Sequence, residues 1–376
     1  EAEALAAARN AEMKPSLSGL LAADEIFLHD QPILGVVHPA SLYLASLSLR
    51  EQRDGETWGC QLLEGSQGDG LISDAGSGLA AGAALAQVDC HVGDWFHPLL
   101  LAGLVEAQAE RRAYNALGKQ YQREEQLCQA HTPKRWENHW QKYVQACAEA
   151  EQAIERYDQW RVLRLDLRAA AQFDWETGQV HVPTQVQAEL HRLATAFNRL
   201  AEGTQAKNLV SLLTQQAEAM TAGLQPLQQA LTPLQASWGE EATRVVCRLG
   251  QALQEWAVPL WRPDQRQRLE QAITETLAWA SEHLGDRLPT LQHLVAAILA
   301  QWPRTSSAIE CLNSLLRPYL NGRKQVSQGF LELFRFFHNT HRFIRSQQRA
   351  GFSPLELTGG PCIPDPLAFL GLGAKS

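Results

Sequence analysis

The sequence predicts a mixed α/β fold, a five-stranded sheet with flanking helices that is interrupted by a large all-helical segment. Residues 20–97 consist of short apolar runs separated by turns, which is typical of strands and short helices. Residues 99–300 lose that pattern and become rich in Ala, Leu, Gln, Glu and Arg at helical spacing. Two further helical patterns follow Pro303. Strands and then helices around one core fit this fold class.

The first part of the chain predicts a helix and then three strands. Residues 1–14 have a helical pattern that Pro15 ends. Short turns rich in Asp, Pro and Ser separate the three apolar runs that follow. These runs are expected to pair as antiparallel neighbours, and they are Leu20–Leu28, Ile33–Val37 and Leu42–Leu49.

The next stretch predicts helix, strand, helix and strand. A short helix begins near Asp54, and a strand ends at Asp74. A small-residue helix covers 76–86, and a last strand lies near 88–92. We expect the fourth strand to lie beside the first, which brings Asp24 and Asp74 together.

The rest of the chain predicts helices. Prolines divide residues 99–300 into six to eight of them, and two more are expected at about Ser306–Arg317 and Val326–Gln348. We therefore predict five parts: an N-terminal helix and linker (1–18), a first core segment (19–98), a helical insertion (99–302), the C-terminal core helices (303–358) and a tail (359–376).

Composition indicates an ordinary globular chain of 376 residues with 45% hydrophobic residues. No run of about 18 apolar residues predicts a membrane span. The seven cysteines are scattered, odd in number and never spaced Cys-x-x-Cys, which argues against zinc-finger and disulfide frameworks and favours a reduced, cytoplasmic compartment. The chain begins with Glu1, and we expect that an N-terminal segment precedes it.

Charge is unevenly distributed along the chain. The net charge is −8, yet residues 301–350 hold eight Lys/Arg and two acids. Such a basic block predicts contact with a phosphate backbone, and its candidate residues are Arg304, Arg317, Arg323 and Lys324. A solvated helix face is the alternative interpretation.

Three acids from distant segments are the candidate catalytic residues. Asp24 lies within an otherwise apolar strand, Asp74 lies where a strand ends and a helix begins, and Glu310 lies in a helix. Three converging carboxylates are the oxygen ligands that a pair of hard divalent cations needs for phosphoryl transfer. Two of them have a simpler alternative: Asp74 could cap the following helix, and Glu310 could complement the helix dipole.

Other residues near these acids are accessory candidates. Asn313 shares a polar helix face with Glu310, where an amide would suit a metal or phosphate site. Asp94 and His97 follow the last strand. One His and one Asp are too few for zinc, so they are expected to shape a metal pocket or contact phosphate. The alternative is a structural capping pair.

These residues resemble a known family. The segments that carry the resemblance are DEIFLHDQPILGVVHPASLYLASLSLREQRDGETW, GLISDAGSGLAAGAALA, DCHVGDWFH, RTSSAIECLNSLLR, FFHNTHRF and GFSPLEL. They are similar to the DDE transposases of bacterial insertion sequences, whose catalytic core is RNase H-like. By that resemblance Asp24, Asp74 and Glu310 match the three catalytic, metal-binding acids. Asp94 and His97 match a C/D-x-x-H motif, and Asn339 matches a C-terminal Asn signature.

The resemblance implies a function. It implies metal-dependent DNA strand cleavage and strand transfer at transposon ends, with two Mg²⁺ ions for which Mn²⁺ can substitute. The implied partner is double-stranded DNA, as transposon ends and as target, handled by a homodimer or larger assembly in the bacterial cytoplasm at the nucleoid. The separation of 236 positions from Asp74 to Glu310 looks like the insertion domain of some branches. Nothing resembles the usual N-terminal helix-turn-helix domain, which puts end recognition in doubt.

Two other functions remain open. A non-catalytic, truncated derivative could bind DNA or a full-length partner without cutting. A helical interaction scaffold would explain residues 99–300 but neither the sheet nor the basic block. Mg²⁺-dependent thermal stabilisation separates the transposase from the non-catalytic derivative, since only an assembled acid cluster binds the ion well.

Overall fold

The chain divides into two compact units. A computed structural model describes residues 1–65, 68–74, 76–256, 263–346 and 349–372. The first unit comprises Glu1–Phe96, Trp175–Val180 and Ala219–Ser376, and the second comprises His97–Asp174 and His181–Glu218. Each unit is treated by itself below.

The first unit is built on a five-stranded mixed sheet. Its strands are β1 (Leu20–Leu28), β2 (Gln31–His38), β3 (Tyr43–Leu49), β4 (Gly70–Ser73) and β5 (His91–Gly93). The strand order is β3-β2-β1-β4-β5. Strands β1, β2 and β3 pair antiparallel, whereas β4 pairs parallel with β1 and with β5. The predicted mixed α/β class with five strands is confirmed, and so is the placement of the fourth strand beside the first.

Helices cover both faces of the sheet. On one face α13 (Ser307–Leu320) and α14 (Gln328–Thr340) bury Ile309, Leu312 and Leu331 against β1 and β2. On the other face α2 (Gly55–Glu64) and α3 (Ser77–Leu85) bury Trp58 and Leu79. The two faces alternate along β1, as the period of two in a strand requires.

Helix α14 also closes the free edge of β3. The Asn339 side chain accepts from the Leu44 N–H at 2.8 Å and donates to the Leu44 carbonyl at 3.0 Å. Gln328 accepts from the Leu49 N–H and donates to the Leu47 carbonyl. An exposed edge strand is a template for pairing with other chains, and these two amides occupy it.

Helix α14 ends at Thr340, so the prediction that it continues to Gln348 is wrong. The backbone turns extended at His341. The Phe343 N–H donates to the Phe352 carbonyl, and the Phe343 carbonyl accepts from the Gly351 N–H. These bonds close a loop and take the place of helical hydrogen bonds at Phe343. Gln348 itself lies outside the described residues.

Further described helices belong to the first unit. Helix α1 (Ala2–Glu12) packs on α14 through Ala6 and Phe336. The others are α9 (Leu224–Trp238), α10 (Glu240–Trp256), α11 (Pro263–Leu284), α12 (Leu288–Gln301), α15 (Pro354–Leu357) and α16 (Pro366–Phe369).

The second unit is helical. It contains most of α4 (Phe96–Cys128), with α5 (Pro133–Ala169), α6 (Pro183–Leu200) and α7 (Gly203–Gln215), and α8 (Ala217–Thr221) begins at its end. Trp160 and Phe197 stack at 5.1 Å between ring centroids in its core. Buried Glu106 pairs with Arg164 at 2.5 Å.

The middle of the chain holds more helices than the sequence led us to expect. Nine α-helices lie between residues 96 and 301 in the described part, against six to eight expected. Residues 219–302, placed by sequence in the helical insertion, group with the sheet-bearing unit. The five predicted boundaries stay a prediction. No helix among the described residues is long and apolar enough to span a membrane.

Candidate catalytic site

Asp24 lies in the middle of β1 and faces α13. Its neighbours on that face, Ala22 and Ile26, pack in the same apolar cluster as Ile309 and Leu312 of α13. The Nδ2 amide of Asn313 donates to the Asp24 Oδ2 atom at 2.8 Å. Asn313 is only 2% exposed, so this amide is held by the surrounding core. The predicted accessory residue therefore contacts a predicted catalytic residue directly.

A glycine allows α13 to approach this strand closely. Gly35 on β2 pairs with Asp24 on β1. A Cβ atom placed on Gly35 would lie 3.0 Å from the Ile309 Cδ1 atom of α13. A side chain at this position would press on the Ile309 methyl group, so the absence of one at Gly35 leaves room for α13 beside Asp24.

Asp74 occupies the equivalent position on the neighbouring strand. Ala22 of β1 is paired in parallel with Ile72 of β4, and the two aspartates each follow two residues later. The Asp74 Oδ1 atom accepts from the Gly76 N–H at 2.9 Å, at the start of α3. Gly76 is itself the N-cap residue of α3, so this bond closes a turn before the helix and does not cap it. The register agrees with the predicted proximity to Asp24.

Glu310 lies in the first turn of α13, one helical turn before Asn313. It is partly buried, and its backbone N–H points to the Ser306 carbonyl at 3.5 Å. An acid at this position also complements the helix dipole. The helix-dipole interpretation of Glu310 therefore agrees with the structure, and its catalytic role stays a prediction.

Electrostatics couple the three acids. Burial, followed by the Glu310 charge, raises the pKa of Asp24 from its usual 3.8 to about 7, with smaller increases from Asp74 and Glu25. A hydrogen bond from the Glu25 backbone opposes this shift. Near neutral pH Asp24 is therefore protonated in a large fraction of the molecules unless a cation compensates its charge.

The site agrees only in part with a divalent cation site. Three carboxylates supply the hard oxygen donors that Mg²⁺ prefers, and their mutual repulsion at Asp24 is what a cation relieves. However, across the described ranges no three or more His, Cys, Asp or Glu side chains form a group that could hold a metal ion. The acids interact electrostatically without being gathered to coordination distance.

Asp94 acts as a structural link. It is 1% exposed, and its Oδ1 atom accepts from the N–H groups of Phe96 and Ser306, both at 2.9 Å. Its own N–H donates to the Ser73 carbonyl at 2.8 Å. Asp94 thus joins the ends of β4 and β5 to the residue that precedes α13. His97 lies in the first turn of α4, in the second unit, and is partly buried.

The four predicted DNA-binding residues have different surroundings. Arg304 is 18% exposed in its side chain and pairs with buried Glu255 at 3.2 Å, which does not suit a phosphate contact. Arg317, Arg323 and Lys324 are exposed on or just after α13. The Arg323 guanidinium lies 4.4 Å from the Phe330 ring centroid, a cation–π arrangement.

One residue near the acids was missed from the sequence. His91 begins β5, and its Nε2 atom lies 2.8 Å from the Ser73 Oγ atom, next to Asp74. Burial lowers the pKa of His91, and the Asp74 charge partly opposes this. Its position beside β4 follows from the parallel pairing of β4 and β5, which sequence pattern alone does not fix.

Comparison with known proteins adds no further assignment. No protein-family model, curated protein or solved structure matches this chain.

Proposed function

We propose that this chain carries the catalytic core of a DDE-type transposase, which cleaves DNA strands and transfers them at transposon ends with the help of divalent cations. The observation that carries the proposal is the contact of Asn313 with Asp24 at 2.8 Å. It lays α13, with Glu310 one turn away, across the strand that bears Asp24. Asp74 directly follows the neighbouring parallel strand β4.

The sheet supports an RNase H-like core as part of the proposal. Three antiparallel strands followed by two parallel ones, in the order β3-β2-β1-β4-β5, fit the core that the family resemblance implies. In this register Asp24 and Asp74 each follow the paired residues Ala22 and Ile72 by two positions, and the last acid comes from a helix packed on the face of β1 that bears Asp24.

Asp24, Asp74 and Glu310 would hold the cations. Two bound Mg²⁺ or Mn²⁺ ions would activate the attacking oxygen and stabilise the leaving one. Asn313 fixes one Asp24 oxygen by its hydrogen bond. Asp24 must lose its proton to act as a ligand, which its raised pKa makes dependent on pH.

The substrate in this proposal is double-stranded DNA. Three exposed basic residues on or just after α13 would hold phosphates without reading sequence: Arg317, Arg323 and Lys324. Binding through such residues weakens as salt rises because counterions are released. A homodimer acting at the bacterial nucleoid, as the resemblance implies, completes the proposal.

The test is cleavage of supercoiled plasmid in Mg²⁺ or Mn²⁺ by the wild type and by Asp24→Asn, Asp74→Asn and Glu310→Gln. Each variant is expected to lose nicking by a factor of about 10³ or more while keeping its circular dichroism spectrum. Asp30→Asn, an exposed aspartate in the β1–β2 turn, is the matched control and keeps full activity. Full nicking by all three site variants would reject the proposal.

The separation of the acids favours a second candidate, the non-catalytic derivative that binds DNA without cutting it. In the described residues the three acids are not gathered to coordination distance. Salt-sensitive DNA binding with no nicking by the wild type, in either metal, would establish this candidate instead.

A further inference from the structure

A two-helix hairpin in the second unit contains no buried residue. We define it as residues 114–145, the end of α4, the start of α5 and their connection, all of which the structure describes. The two helices run antiparallel, since Gln120 of α4 interacts with Tyr143 of α5 while Glu106 pairs with Arg164. Gln120 and Tyr143 therefore mark the line along which the helices of the hairpin meet.

One side of the hairpin exposes a stripe of large apolar side chains. Each residue of a helix is rotated by about 100° from the one before it, so Tyr121 lies about 100° from Gln120, and Val144 lies about 100° from Tyr143. Equal rotations from the line of contact lead to the same side when two helices run antiparallel. The exposed fractions along this apolar stripe are 68% for Tyr114, 65% for Tyr121, 46% for Trp136, 43% for Trp140 and 48% for Val144. Such a stripe marks a surface that another molecule covers.

Charge is divided between the two sides of the hairpin. The same rotation places Glu125 of α4 and Glu137 of α5 beside the apolar stripe, and Glu151 continues this side along α5. All three glutamates are exposed. Lys134 lies at the outer edge of α5, and the other basic residues of the hairpin lie on the opposite side, namely Lys119, Arg123, Arg135 and Lys142. Negative charge therefore borders the apolar stripe.

The geometry points to a basic amphipathic helix of another protein as the molecule that covers the apolar stripe. The groove between two antiparallel helices accepts a third helix through its apolar face. Exposed tryptophan and tyrosine side chains are the type that contributes most to such binding. Lys or Arg residues beside the apolar face of the partner would then meet Glu125, Glu137 and Glu151. The side from Trp136 to Glu151 is about 22 Å long, which matches a partner helix of about 15 residues.

Partners that carry phosphate fit this side of the hairpin poorly. Its carboxylates repel the backbone of nucleic acids and the headgroups of anionic lipids. The basic residues that would attract phosphate lie on the opposite side, away from the apolar stripe. The inference does not depend on the proposed catalytic function, because it uses only residues of the second unit.

The test measures the binding of a fluorescein-labelled peptide to the full chain by fluorescence anisotropy, at about 0.15 M salt. The probe is an amphipathic peptide of about 15 residues, with Leu along one helical face and Lys beside it. A comparison peptide has the same composition in an order that forms no apolar face. The probe is expected to bind at least about tenfold more tightly than the comparison peptide, because only the probe can cover the apolar stripe.

Two double variants with the same change in net charge test the role of the glutamates. Glu137→Lys/Glu151→Lys is expected to weaken probe binding by about tenfold or more, whereas Glu51→Lys/Glu149→Lys should stay within about twofold of the wild type. Glu149 lies on the side of α5 away from the apolar stripe, and Glu51 lies in the first unit. A second probe, with Glu in place of every Lys, should prefer the Glu137→Lys/Glu151→Lys variant to the wild type.

The variant Trp136→Ser/Trp140→Ser tests the apolar stripe without a change in charge. It is expected to weaken probe binding by about tenfold or more, because the two largest side chains of the stripe are removed. Leu63→Ser, at an exposed leucine of α2, is the control and should bind the probe as the wild type does. Both tryptophans are exposed, so the circular dichroism spectrum should not change.

Three results would overturn the inference: equal binding of the probe and the comparison peptide, equal loss in the two charge variants, or full binding by Trp136→Ser/Trp140→Ser. If duplex DNA or phosphatidylglycerol vesicles bound in place of the probe, and this tryptophan variant abolished their binding, the apolar stripe would be a nucleic-acid or membrane contact instead.

Discussion

The buried amide of Asn313 and the carboxylate of Asp24 form a hydrogen bond of 2.8 Å between residues 289 positions apart in sequence. This bond connects the C-terminal helix α13 to the first strand of the sheet. Because Asn313 is held in the core, it fixes both the orientation of one Asp24 oxygen and the position of Glu310 one turn earlier. The candidate site therefore depends on the packing of α13 as much as on the three acids.

Folding stability is expected to depend on the protonation of Asp24. Its pKa is about 7 in the folded chain and about 3.8 when unfolded, so the folded state binds this proton more tightly. The stabilisation that follows is fully present below pH 3.8 and is lost as pH rises through about 7. We expect the free energy of unfolding, measured in urea, to fall between pH 5 and pH 8. The contribution of Asp24 to this fall should be on the order of 2–4 kcal/mol.

The variant Asp24→Asn isolates the contribution of Asp24, because it removes the titrating carboxyl group and keeps the shape of the side chain. Its unfolding free energy should fall less between pH 5 and pH 8 than that of the wild type, whereas Asp30→Asn should behave as the wild type does. An equal fall in all three proteins would show that Asp24 does not titrate in this window.

Divalent cations are expected to stabilise the folded chain at pH 8. Loss of the Asp24 proton exposes a carboxylate that Glu310 and Asp74 repel, and a bound cation removes that repulsion. At saturating Mg²⁺ we expect the melting temperature to rise by about 2–4 °C at pH 8 and by less at pH 6, where protons compete. Asp24→Asn and Glu310→Gln should lose the rise, and Asp30→Asn should keep it. Identical shifts in every variant would mean that Mg²⁺ binds elsewhere.

Much of the sheet could be predicted from the sequence. The observed bounds of β1 are those predicted, because its apolar run is long and its flanking turns are clear. The placement of β4 beside β1 was also predicted, and it puts Asp24 and Asp74 at equivalent positions. The predicted range of β5 was less accurate, since the strand covers only His91–Gly93. A strand of three residues has too few positions for a pattern to define its ends.

Long-range partners could not be predicted. Arg304 belongs to a basic block in the sequence, yet it pairs with buried Glu255, 49 positions earlier. Likewise, the pattern of α14 is helical up to Thr340, but the backbone exchange between Phe343 and residues 351–352 ends it. In both cases a contact with a residue distant in sequence decides the outcome: it neutralises Arg304 and it ends α14.

Gly35→Ala is expected to disturb the site through α13. The new methyl group would meet the Ile309 Cδ1 atom at 3.0 Å and displace the helix that carries Asn313 and Glu310. We expect a loss of about 1–2 kcal/mol in unfolding free energy, together with a larger fractional loss of nicking than the stability change explains. Ile309→Val removes the Cδ1 atom, so the double variant Gly35→Ala/Ile309→Val should recover both properties. If the double variant were no better than the sum of the single changes, this contact would not control the helix.

Asp94 is expected to act on the site through the start of α13. Its Oδ1 atom accepts from the buried N–H of Ser306, and its backbone N–H donates to Ser73, which precedes Asp74. Asp94→Ala leaves the amides of Ser306 and Phe96 without their acceptor, which should cost about 2–4 kcal/mol of unfolding free energy.

Asp94→Asn separates positioning from direct metal or phosphate contact. The asparagine retains one oxygen that can accept both amide hydrogen bonds, so stability and nicking should remain within about threefold of the wild type. A metal ligand would tolerate this loss of charge poorly, as Asp24→Asn is expected to show. Loss of nicking in Asp94→Asn at unchanged melting temperature would therefore mean that Asp94 contacts the metal or the phosphate directly and does not only position other residues.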